Sequence, residues 1–120
     1  MRSESHLTNG YRWRKNKKQQ PTMKSINITS EKQLEQECCR IARKMGLMAM
    51  KIEKNNHTGA ADRIFVKRGG ISIFVEFKNP NGRGILSDEQ KFVAEFIGEN
   101  YHVIASKEKF IELINEFAST

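Results

Sequence analysis

The 120-residue sequence predicts an α/β fold, a central mixed β-sheet flanked by helices in the order α-β-β-β-α-β-α. Three observations carry this. Apolar residues recur at helical spacing in three separate segments, and short β-rich runs lie between them. Two capping-box pairs, Ser30 with Gln33 and Ser87 with Gln90, mark helix starts.

The first helix follows Ser30, with Leu34, Cys38, Ile41, Ala42 and Met45 on one side, and stops at Gly46. "LMAMKIE" (47–53) alternates as a strand, with Met48, Met50 and Ile52 on one face and Lys51 on the other. "KNNHTGAA" is a loop, and residues 62–78 form a hairpin around Gly69 and Gly70. Its second arm, Ile71 to Phe77, is almost continuously apolar, the pattern of a strand inside a sheet. "NPNGRGIL" is rich in turn residues, and the helix after Ser87 is expected to turn Phe92, Val93, Phe96 and Ile97 inward. "YHVIAS" is a short strand, and Phe110, Ile111, Leu113, Ile114 and Phe117 mark the last helix.

Charge divides the chain. Residues 1–29 hold seven basic residues against Glu4, so nearly all of the net +7 sits in this stretch. It reads as a mobile basic arm, and residues 30–120 as one domain. Within the arm, Arg12, Arg14, Lys15, Lys17 and Lys18 surround Trp13, a composition suited to phosphate attraction and base stacking. The plainer reading is a solubilising leader. No apolar run approaches a membrane span, and no secretory signal is visible, so no membrane partner and a cytoplasmic location are expected. Cys38 and Cys39 are adjacent, which suits small helix residues better than a disulfide or a metal knuckle.

The hairpin raises a chemical question, because its buried arm carries Glu76 and its first arm opens with Asp62. Glu76 and Lys78 are two apart and leave the strand on one face. Asp62 arrives beside Glu76 across the turn. Two carboxylates and an ammonium at one sheet end form a poor structural cluster but a fitting oxygen site for a hard divalent cation. An ion pair fraying at a strand end is the competing reading. Sharing a cation requires Asp62 opposite Glu76, with paired residue numbers adding to 138. A two-residue Gly69-Gly70 turn gives 139, so an odd-length connection through Arg68-Gly69-Gly70, or a bulge before Glu76, is expected.

An acid, a hairpin's span, then E-x-K, with helices before and behind, resembles the PD-(D/E)-x-K nuclease superfamily. "AAD" stands where the family has "PD", and "EFK" matches its "E-x-K". More narrowly, "GAADRIFVKRGGISIFVEFKNPNGRGILSDEQ" resembles the VRR-NUC family of virus-type replication-repair nucleases, over roughly residues 31–105. Ala61 in place of the family's proline removes a backbone constraint, not a ligand.

The resemblance implies a restriction-endonuclease-like αβββαβ core and a metal-dependent DNA endonuclease. Asp62 and Glu76 would ligate Mg²⁺ or Mn²⁺ with the Phe77 carbonyl, and Lys78 would position the attacking water and help deprotonate it. It also calls for an acid on the first helix. Glu35 fits best, since it aligns with small residues, whereas Glu31 suits the helix dipole and Glu37 a solvated pair with Arg40. Glu35 would hold a metal-bound water or a second ion. Gln90 matches a family position but is also the third residue of its own capping box. Lys51 and Arg83 are candidate phosphate contacts, and His57 reads as a solvated loop residue. Stand-alone members resemble Holliday-junction resolvases, which implies branched DNA as partner and a C2 homodimer, in the host cytoplasm if virus-encoded. Two other classes of function stay open: a non-catalytic nucleic-acid-binding module, and a nuclease of linear duplex or flap DNA.

Overall fold

The computed structural model describes residues 27–53 and 59–119. The elements follow the expected order: α1 (Glu31–Lys44), β1 (Met48–Lys51), β2 (Arg63–Val66), β3 (Ser72–Phe77), α2 (Asp88–Ile97), β4 (Tyr101–Ile104) and α3 (Lys107–Ser119). The strands form one mixed sheet, β1-β2-β3-β4, antiparallel except for the parallel β3–β4 pair. None of the described helices is long and apolar enough to cross a membrane.

The helix ends follow their local chemistry. Ser30 Oγ accepts from the Gln33 amide at 3.1 Å, while the Gln33 side chain reaches one residue further than a capping box requires, to the Thr29 amide at 2.8 Å. Gly46, at φ +85°, lets the Leu47 amide return to the Ala42 carbonyl and its own amide to Arg43, the two bonds of a Schellman stop.

Pairing and alternation divide the sheet into two unlike faces. One presents Phe65, Ile73, Val75, Phe77 and Ile104 to α1 and α3, which bury Leu34, Cys38, Cys39, Ala42, Phe110, Ile114 and Phe117 against them. Phe110 is the hub, its ring centroid 5.2 Å from Phe65 and 6.2 Å from Phe77. Burial pushes both thiols up, so Cys38 and Cys39 act as small core residues. The other face carries Ile64, Phe74, Glu76, Tyr101 and Val103.

On α2 the apolar face lies opposite to expectation, and on β1 the structure shows which face is inward. Met48 and Met50 are exposed, and β1 instead turns Ala49 toward the core. A small residue there meets the small residues of α1 and lets helix and strand approach closely. On α2, Phe92 and Phe96 are not inward but exposed, with their rings stacked at 6.4 Å. Gln90 is the buried residue of this helix and Val93, Ala94 and Ile97 are partly buried, while the phenylalanines lie outward.

Candidate active site

The hairpin connection is odd-length. The Lys67 amide donates to the Ile71 carbonyl, and the Gly70 amide to the Lys67 carbonyl, each at 3.0 Å. Arg68, Gly69 and Gly70 form the loop, with both glycines at positive φ, +96° and +87°. Arg63 pairs with Val75 and Val66 with Ser72, so paired numbers add to 138. Extended by one residue, this register would set Asp62 opposite Glu76.

The regular ladder stops one residue short of that pair. The Asp62 amide donates to the Val75 carbonyl at 3.0 Å, and the Asp62 carbonyl accepts from Ile52 of the loop after β1 at 3.1 Å. Asp62 Oδ2 then accepts from the Phe77 amide at 2.8 Å, where a continued ladder would offer the Ala61 carbonyl. The carboxylate thus terminates the sheet at its own strand end.

Glu76 is 3 % exposed. Its Oε2 accepts from Gln90 Nε2 at 2.8 Å and stands 3.6 Å from Lys78 Nζ. Lys78 donates instead to Gln90 Oε1 at 2.8 Å, an oxygen that also accepts from the Ser87 amide at 2.9 Å. With two donors on its oxygen and a carboxylate on its nitrogen, the Gln90 amide has one consistent orientation. Of the uses of Gln90 weighed from the sequence, the capping-box one is realised. The residue closes the α2 capping box and joins that helix to Glu76 and Lys78.

Two neighbours of the site were not singled out in the sequence. Gly59 is buried against α2, where an added Cβ would fall 2.3 Å from the Glu89 carbonyl oxygen and 2.8 Å from the Gln90 nitrogen. The glycine of "TGAAD" therefore fixes the approach of the Asp62 strand to Gln90. Tyr101, 9 % exposed, lies on β4 and shares the sheet face of Phe74 and Glu76. Burial, helped by the charges of Glu76 and Asp62, pushes its phenol up to about 12, which keeps it a neutral donor. For Gly59 the readable signal was a glycine just before the acid; for Tyr101 there was none beyond an aromatic on a strand.

The other sequence candidates lie apart. Glu35 Oε2 accepts from Arg63 Nε at 2.6 Å and from Lys51 Nζ at 3.3 Å. Among the described residues no group of three or more His, Cys, Asp or Glu side chains is placed to hold a metal ion, so Glu35 does not join Asp62 and Glu76 in one. The reason is topological: α1 covers the core face, to which Arg63 also turns, while Glu76 turns to the opposite face. Lys51 is engaged with Glu35 at a half-exposed position. Glu37 is not solvated but 7 % exposed, gripped by Arg40 Nη2 at 2.7 Å and approached by Lys107 Nζ at 3.4 Å. Arg83 is exposed in the loop before α2. Arg12, Arg14, Lys15, Lys17, Lys18 and His57 lie outside the described residues.

Comparison of the chain with protein-family models, curated proteins and solved structures returned no match. The donor chemistry of Asp62 and Glu76 nonetheless suits Mg²⁺ or Mn²⁺. Mg²⁺ is commonly held by one or two carboxylates, with waters and substrate phosphate completing its shell, and does not need a cage of three acids. Both carboxylates act electrostatically on the same phenol, that of Tyr101.

Proposed function

We propose that this chain is a metal-dependent endodeoxyribonuclease with a restriction-endonuclease-like core, akin to the VRR-NUC family, acting on branched DNA such as Holliday junctions. The observation that carries it is the joint placement of Asp62 and Glu76. Asp62 immediately precedes β2, whose register with β3 adds to 138, and its carboxylate accepts from Phe77, the residue after Glu76; Lys78 lies beside Glu76, and Gln90 joins the last two. Asp62 ends the sheet by accepting from the Phe77 amide, and the second acid, Glu76, supports the reading because it is buried beside it.

Asp62, Glu76 and the Phe77 carbonyl would hold the cation, which when bound polarises the phosphate and lowers the pKa of water. The protein's part is arrangement. Asp62 is fixed by the Phe77 amide, and Glu76 by Gln90. Lys78 is held 3.6 Å from Glu76, where its ammonium can orient a water and offset charge on the phosphate. Arg83, exposed in the loop before α2, is a candidate strand contact, as are the arm's basic residues. Glu35, tied to Arg63 and Lys51, is proposed to shape the core side of the sheet rather than to hold a second ion. A C2 pair of copies would offer two sites to the two related strands of a junction. The expected setting is DNA repair in the cytoplasm.

The test is incubation of purified protein with Mg²⁺ or Mn²⁺ and a panel of linear, flapped and four-way DNAs. Metal-dependent incision of the four-way substrate supports the reading. Incision of linear or flap DNA alone moves the substrate class, and binding without incision by any metal overturns the enzyme.

A further inference from the structure

Tyr101 combines three properties that packing does not explain. Its hydroxyl is buried with no hydrogen-bond partner among the described residues. The parallel register of Phe74 with Tyr101 and Glu76 with Val103 turns the ring to the face of Glu76. Both site carboxylates act on it. A buried donor left unpaired is a standing cost to stability, and phenylalanine would fill the same space without it.

We infer that Tyr101 is a positioning residue of the acidic site: when a divalent cation occupies Asp62 and Glu76, the phenol donates to the Glu76 carboxylate and holds it in its ligating orientation. The inference rests on the metal-site reading above. In the structure Glu76 Oε2 takes the Gln90 amide, with Lys78 3.6 Å away. A cation would compete for that negative charge, and a further donor on the same sheet face would fix the orientation of the carboxylate. A neutral phenol supplies one without the positive charge that would repel the ion. Ligating carboxylates are themselves commonly hydrogen-bonded by such outer groups. Hydrogen bonds of this kind often tighten only in the loaded site.

The experiment uses the full chain as wild type, Tyr101→Phe and Glu76→Gln. Mn²⁺ affinity is measured by calorimetry, and thermal midpoints are recorded with and without Mn²⁺. The expected Tyr101→Phe protein melts at or above the wild-type temperature without metal, yet binds Mn²⁺ about tenfold more weakly. It also gains less thermal stability when Mn²⁺ is added. Unchanged Mn²⁺ affinity in Tyr101→Phe, with binding lost in Glu76→Gln, overturns the role of Tyr101 and leaves the metal site standing. Unchanged affinity in Glu76→Gln overturns the metal-site reading itself, and the inference with it.

Discussion

Glu37 and Glu76 are buried to a similar degree, at 7 % and 3 % exposure, and the protein treats them differently. Glu37 is answered by charge. Arg40 grips both of its oxygens, at 3.0 and 2.7 Å, and Lys107 reaches in from α3 at 3.4 Å. The cluster joins the first helix to the last. Glu76 accepts from the neutral amide of Gln90 at 2.8 Å and pairs with Lys78 at 3.6 Å, an ammonium that also donates to Gln90 at 2.8 Å. Removing one partner of a buried ion pair would leave an uncompensated charge, which is strongly destabilising. The two acids differ in their partners: Glu37 meets a guanidinium and an ammonium directly, whereas Glu76 meets an amide that also binds Lys78.

The largest effect should separate the two. Glu76→Gln is expected to lower metal-dependent cleavage by about a thousandfold or more, the several kcal/mol that metal catalysis supplies, with little loss of fold. Glu37→Gln should cleave normally but lose about 1–3 kcal/mol of stability. Single-turnover cleavage and denaturant titration on both variants check this, and interchanged phenotypes would break the comparison. Next is Gly59→Ala. A Cβ 2.3 Å from the Glu89 carbonyl forces the start of α2 to shift, and Gln90 with it. The cost should be about 1–3 kcal/mol, with cleavage falling along with stability. A fully active, fully stable Gly59→Ala would mean that Gln90 needs no such support.

The two acids also measure what the sequence could reveal. Glu76 was legible because everything that makes it unusual is local: an acid in an apolar strand, a lysine two residues on, and a glycine-rich turn whose length sets the register. The element order and the α3 stripe of Phe110, Ile114 and Phe117 were legible for the same reason. Glu37 was misread as solvated because one partner, Lys107, is 70 residues away and is brought near only when α3 packs on α1. The face of α2 was misread because hydrophobicity alone does not say which side of a helix will be covered. Phe92 and Phe96 dominate any apolar count on α2, yet they are exposed while Gln90 is buried.

The smallest expected effect is a pH dependence confined to Glu37. The hydrogen bond from Arg40 outweighs the opposing effect of burial, and Lys107 adds to it, so the carboxyl is held below its ordinary 4.5. A folded value below the unfolded one means that this stabilisation is complete above the unfolded value and is lost as pH falls through the folded one. The advantage of wild type over Glu37→Gln should therefore be constant near neutral pH and shrink in acid below about 4.5. Arg40 is 40 % exposed, so solvent screens the pair and the neutral-pH advantage should fall toward the low end of about 1–3 kcal/mol. Denaturant midpoints for the two proteins at pH 7 and below pH 4 measure the change. A gap that stays constant into acid would show that Glu37 contributes through shape and neutral hydrogen bonds, and the contrast with Glu76 would then rest on geometry rather than on charge.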